Sequence, residues 1–313
     1  MFPKMNERCF LFAAAAPMEA FALAESLAQH PEVHLPALHR LSDHKSEAES
    51  LADEFRTLLE SVPEGEVCGL ACPWGDFSKS SLLALKESQP QLKAILLLNP
   101  PVTSMRARHH ELLGKALENQ VDFGQALAME ETRAAGRDLP RRNPDATSLQ
   151  YRKVAHLSGQ VENFFEVFGR ERTKVVFAED WQENPDSLLR ELCEFLNLDH
   201  NSELVPSQVK EATALRGTHH LDLAVKRLMA RLPGGESLRK VFSHSLEKKY
   251  RRLADRIFAP MSDQSINSIL EEELLEEFEP EVARLSKLLD RDLSHWNEPR
   301  FPRSEHDHHD HHH

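Results

Sequence analysis

Six histidines, His306, His308, His309, His311, His312 and His313, crowd the end of the chain, interrupted by Asp307 and Asp310. Neutral imidazoles at that density bind Zn²⁺ or Ni²⁺ loosely. Cys68 and Cys72 have no second ligand pair nearby, so their spacing reads as two buried strand thiols rather than a zinc site. Between residues 226 and 252 nine lysines and arginines face only Glu236 and Glu247, which reads as a solvated basic helix face. Seven glutamates between Glu271 and Glu281, with Leu274, Leu275 and Phe278 among them, read as an amphipathic helix with an acidic outer face. Neither a Ser-His-Asp order, nor a glycine-framed nucleophile, nor an HExxH pattern is present. The chain has only 11 glycines and none before Gly65. A glycine-lined phosphate loop near the start is therefore disfavoured, because such loops need backbone N–H groups that approach the ligand closely.

The elements that must position these residues follow from the apolar pattern. Short apolar runs at Phe10–Ala16, Val67–Cys72, Ala94–Leu98 and Thr173–Phe177 predict buried strands. Helical spacing predicts helices after Phe21, over Ser46–Leu59, Ser80–Glu87, Val102–Leu117 and Ala146–Phe168, and from Asn184-Pro185 to Leu196. A polar loop is expected around Arg137–Asp145, and helical period from Leu196 to Trp296. Strands alternating with helices imply a parallel sheet covered on both faces. The expected organisation is one α/β domain over residues 1–298, with a helical C-terminal part, and a disordered His/Asp-rich tail over 299–313.

Composition narrows the function. Against 51 acidic residues stand 38 lysines and arginines, a net charge of −13 in 313 residues. That balance argues against nucleic acid and other polyanions, whose binding rests on neutralising phosphates. No apolar run approaches the ~20 residues of a membrane-spanning helix, so no membrane partner is expected. Lys4, Arg8, the apolar Cys9–Ala16 and Ala22-Leu23-Ala24 imitate a secretion signal. The run is short and flanked by Glu7 and Glu19, so it reads as a first strand and helix of a cytoplasmic protein. Four cysteines fit a reducing compartment.

Several segments in order resemble the PAPS-dependent sulfotransferase family, particularly its bacterial members. Phe168-Gly169-Arg170-Glu171-Arg172, Val175-Val176-Phe177-Ala178-Glu179-Asp180-Trp181, Asn184-Pro185 and Cys193-Glu194-Phe195-Leu196 match its strand, acidic turn and following helix. Pro90 to Pro100 resembles its "P-x-x-K/R-x-I-x-x-L-R-N-P", and Leu293-Ser294-His295-Trp296 its closing "D-L-S-x-W". Gly69, Ala71 and Pro73 match "G-E-A-S-P", and Leu27 to Val33 match "L-x-x-H-P-x-V". The resemblance spans about residues 8–298. It implies a P-loop-like central parallel sheet flanked by helices, and sulfuryl transfer from PAPS to a hydroxyl or amine.

It also implies where the chemistry should sit. The family's phosphate cradle, roughly G-x-P-K-S-G-T-T, falls on Ala14, Ala15, Ala16, Pro17, Met18, Glu19, Ala20 and Phe21. Pro17 stands where the lysine belongs, Glu19 where a glycine belongs and Phe21 where a threonine belongs. A carboxylate ~4 Å from a phosphate would cost about 1–4 kcal/mol. The arginine and serine that bind the 3′-phosphate fall on Leu98 and Arg106. The general-base region falls on His39 and Arg40, and the glutamate of "G-E-A-S-P" on Leu70. An arginine cannot accept a proton near neutral pH, whereas a histidine can. Two readings of the resemblance stay open. In one the chain is catalytically degenerate, holds no cofactor and acts as a binding or partner module. In the other it is an active sulfotransferase whose PAPS or PAP is held by Arg106, Arg108 or the 226–252 cluster. A third possibility is an unrelated α/β protein. None of them names the small-molecule or protein partner.

Overall fold

The computed structural model describes residues 8–14, 17–35, 48–60, 62–63, 65–73, 77–199, 204–206 and 267–299, with only the backbone for residues 17–19, 21, 48–50, 54 and 73. Five parallel strands form one sheet in the order β2-β3-β1-β4-β5: β1 Cys9–Ala14, β2 Val33–His34, β3 Val67–Pro73, β4 Lys93–Leu98 and β5 Thr173–Phe177. The expected parallel sheet is therefore present, with its four expected strands. The first ends two residues early, at Ala14, ahead of the helix α1, Pro17–Ala28. Only the two-residue edge strand β2 was not expected, being too short to show a period.

Alternation along the strands builds two cores. Cys9, Leu11 and Ala13 of β1, Cys68, Leu70 and Cys72 of β3, and Ala94, Leu96 and Leu98 of β4 face one layer. That layer is covered by α2 (Ala48–Leu59), α3 (Lys79–Ser88) and α8 (Leu157–Phe168). Phe10, Phe12 and Ala14, with Ile95 and Leu97, face the other layer, under α1 (Pro17–Ala28) and α10 (Pro185–Phe195). The period of two is the direct result of the pleat. Asn184 caps α10 by accepting from the Ser187 amide at 3.3 Å, with Pro185 at the first helical position, as its sequence predicts.

Between β4 and β5 lies a helical insert: α4 Pro101–Gly114, α5 Phe123–Ala128, α6 Glu130–Ala134 and α7 Tyr151–Ala155. The expected single helix over Ala146–Phe168 is broken into a 3₁₀ turn at Thr147–Leu149, then α7, then α8. Gln150 (φ −93°, ψ 83°) and His156 (φ −82°, ψ 72°) leave helical geometry. The second break is fixed from outside. Buried Glu281 accepts from the Ser158 amide at 2.6 Å and its hydroxyl at 2.9 Å, capping the start of α8. The acidic turn after β5 is itself a short helix, α9 Ala178–Glu183. The glutamate-rich segment forms α11, Ser268–Leu289, as expected, except that Glu271 and Glu281 face inward. No helix among the described residues is long and apolar enough to cross a membrane.

Candidate functional site

In an open parallel sheet, ligands bind beyond the carboxyl ends of the strands, where successive connections diverge to either side. Here the divergence flanks β1, which pairs with β3 on one side and β4 on the other. The candidate edge is thus Ala14, the start of α1, and Leu98-Asn99-Pro100 leading into α4.

Of the phosphate-cradle positions, Ala14 ends β1, residues 15 and 16 lie outside the described set, and Pro17, Met18, Glu19, Ala20 and Phe21 are already helical. Only residues 15 and 16 separate strand from helix. Ala20 is sealed in the layer beneath α1. Leu98 and Leu70 are buried in the opposite layer, and Leu98 pairs in register with Phe177. Arg106 is half-buried on α4, with Arg108 buried further along the same helix. Burial pushes the Arg108 guanidinium below its ordinary range, against the attraction of Glu111, Tyr151 and Asp145. The Ser104 hydroxyl turns back onto the Pro100 carbonyl at 3.1 Å. Asn99 is buried, and its side-chain oxygen has no hydrogen-bond partner among the described residues. His39, Arg40, the 226–252 cluster and the tail histidines lie outside the described residues. Among the described residues no group of three metal-ligating side chains assembles.

The segments that carried the resemblance meet in space. Arg291 donates to both carboxylate oxygens of Asp180, at 2.6 and 2.8 Å, and lies 3.9 Å over the Phe177 ring. His295 contacts Glu179 at 2.7 Å, and Trp296 meets Phe177 edge-on at 5.9 Å. The acidic turn and the closing tryptophan segment are therefore two halves of one structural clasp at the end of β5.

Sequence reasoning missed a buried polar cluster among the described residues. Arg133 and Glu118, both fully buried at their side chains, form a two-pronged ion pair at 2.6 and 2.7 Å. The Tyr151 hydroxyl donates to Glu118 at 2.5 Å, and the Asn119 and Gln120 amides at 2.9 and 2.8 Å. Both carboxylate oxygens of Glu118 are thus engaged by the insert itself, so the cluster braces the helices and offers no free acid or base. Its members lie 15 and 33 residues apart, at no spacing that a motif would reveal.

A parallel sheet in this order, with helices on both faces, defines the P-loop-like α/β class. Within that class the chain has the sulfotransferase fold. Its structure superposes on a sulfotransferase from Alicyclobacillus acidocaldarius with a TM-score of 0.62 and 22% identity, covering 92% of this chain and 98% of that one. Mouse sulfotransferase SULT7A1, crystallised with PAP, gives 0.40 and 17% identity over 63% of this chain and 61% of that one. The sulfotransferase domain of the Synechococcus PCC 7002 olefin synthase gives 0.38 and 17% identity over 79% and 95%. The fold assignment rests on the first of these. No protein-family model matches the sequence, and no curated protein does.

Proposed function

We propose that this chain keeps the sulfotransferase scaffold without its PAPS chemistry, and acts as a binding module for a small-molecule or protein partner in the cytoplasm. The observation that carries this reading is the connection from β1 to α1. A phosphate cradle is a run of backbone N–H groups curling around the anion before the helix begins. Here two residues bridge strand and helix, and the first helical residue is Pro17, which has no N–H to give. Glu19 in the first turn favours the helix but repels a phosphate. At the 3′-phosphate position Leu98 offers buried hydrocarbon. None of the four buried cysteines forms a disulfide, which supports a reducing compartment.

The test is calorimetry of the full chain with PAP and with PAPS. The expected result is no measurable binding, and no shift of the melting temperature; a ligand at 100 times its Kd would add about 2.7 kcal/mol. The combined variant Pro17→Lys, Glu19→Gly, Leu98→Arg and Arg106→Ser is expected to bind PAP where the parent does not. Transfer of sulfate from PAPS by the parent at about 1–10³ per second would overturn the proposal.

One observation favours a second reading, an active sulfotransferase with an altered PAPS site. Asn99, Arg106 and Arg108 place an amide and two guanidiniums at the end of β4 and along α4. In that reading PAP binding is lost on Arg106→Ala, and the same calorimetry separates the two.

A further inference from the structure

The amino ends of the strands, opposite the candidate edge, carry three cations on one face of the sheet. Arg8 precedes β1, Lys93 opens β4 and Arg172 immediately precedes β5. Phe10 pairs with Lys93 and Ala94 with Thr173, so the three stand on the adjacent strands β1, β4 and β5. Alternation sets them on the same side. Phe10 and Phe12 follow Arg8 at even spacing, Ile95 and Leu97 follow Lys93, and Val176 follows Arg172, all in the layer under α10.

Each cation is held by backbone carbonyls. Arg8 donates to the Gly65 and Asn197 carbonyls, both at 2.9 Å. Lys93 Nζ donates to the Phe195 carbonyl at 2.5 Å and lies 5.2 Å from the centre of that residue's ring. Arg172 donates to the Pro90 carbonyl at 2.6 Å and to Gln91 Oε1 at 2.8 Å. Phe195 ends α10, and a cation at a helix end of that polarity is favourable. Such capping accounts for one cation, but not for three side by side in a chain of net charge −13.

The positive charge is not cancelled locally. Arg8 lies 3.7 Å from Glu32, but no carboxylate among the described residues pairs with Lys93 or Arg172. Burial, and after it Arg172 and Arg8, hold the Lys93 ammonium below its ordinary range. The carbonyls are neutral dipoles and leave that repulsion standing. Donors also remain. An ammonium has three N–H groups and a guanidinium five, of which Lys93 spends one and Arg172 two on the contacts above. All three residues are half-buried, so a solute can reach them.

We propose that this trio binds a phosphate-type oxyanion, the free ion or a phosphate monoester, between Lys93 and Arg172 with Arg8 as the third wall. A guanidinium fork meets two phosphate oxygens and an ammonium a third. The carbonyl contacts fix the side chains beforehand, so little conformational freedom is lost on binding. The site lies at the far end of the strands from Ala14 and Asn99, and it stands or falls independently of whether PAPS binds there.

The test is calorimetry of the full chain with sodium phosphate, with phenyl phosphate, and with sodium chloride at equal ionic strength. Saturable phosphate binding is expected, with a Kd of about 1 mM or tighter. Tighter binding of phenyl phosphate than of the free ion identifies a monoester as the occupant, and the reverse order identifies the free ion. Lys93→Gln and Arg172→Gln are each expected to weaken binding at least about tenfold, since each removes a charge-assisted hydrogen bond. Lys93→Arg should retain it. Lys79→Gln, which removes an exposed cation of α3, should leave it unchanged. Circular dichroism confirms that each variant is folded, and either glutamine variant alone suffices for the comparison. No saturable binding, an association that chloride reproduces (an adventitious ion only), or binding that survives both glutamine variants would overturn the proposal. So would a loss in Lys79→Gln as large as in Lys93→Gln.

Discussion

Burial pushes the Glu118 carboxyl up, but hydrogen bonds from Arg133, Tyr151 and the Gln120 amide outweigh it and hold the group below its ordinary value. A depressed carboxyl contributes stability that is present above its unfolded pKa, about 4.3, and lost as pH falls through the lower folded one. Glu130 has the opposite sign: burial raises it above its ordinary value despite Arg152, so it contributes stability that is present below about pH 4.3 and lost as pH rises through its higher folded value. Below about pH 4.3 the urea midpoint of the parent should therefore fall more steeply than that of Glu118→Gln; parallel profiles would refute the assignment. Arg133→Met leaves a carboxylate buried without its cation and is expected to cost about 3–5 kcal/mol in urea unfolding. At this scale the sequence is legible where identity alone decides. Pro17 lacks an N–H and Leu98 lacks a charge in any fold. It is silent on Arg133 and Glu118, because their meeting is made by tertiary packing and by no local period.

The elements explain why the motifs read as they did. Gly69 was matched as part of a strand end, and its reason is steric. A Cβ there would collide with the buried Phe10 ring and come within 2.7 Å of Leu35 Cδ1. Gly69→Ala is expected to cost about 1–3 kcal/mol, the usual penalty of overpacking, measured by thermal unfolding. Trp296→Ala empties the clasp beside Phe177 and is expected to cost about 3–5 kcal/mol; a loss under ~1 kcal/mol would mean the clasp is ornamental. The four longer strands were legible because each is an apolar run that ends at a breaker or a polar residue. The break at His156 was not, because the carboxylate that stabilises it comes from Glu281, 123 residues away. For the same reason the acidic turn after β5 hid a helix: its first turn carries Glu179 and Asp180, where carboxylates favour the helix end.

At the scale of the molecule, one sheet serves two cores. Because β1, β3 and β4 feed both layers from the same backbone, neither layer can open without the other. Trp181 sits in one layer and Trp296 in the other. Of the three tryptophans, variants keeping only Trp181 or only Trp296, with Trp74 replaced in both, should lose fluorescence at the same temperature as the far-ultraviolet dichroism; separate midpoints would show that the layers unfold apart. The same arrangement settles the fate of the sulfur atoms. All four cysteines are buried, three of them on β1 and β3, and burial pushes Cys9 and Cys68 up to about 12. At neutral pH they offer an alkylating reagent almost no thiolate and no path of approach. Each maleimide adduct on Cys9, Cys68 or Cys72 of the native protein therefore records a moment when the strands parted, and these thiols become a clock for openings too rare to alter the average structure.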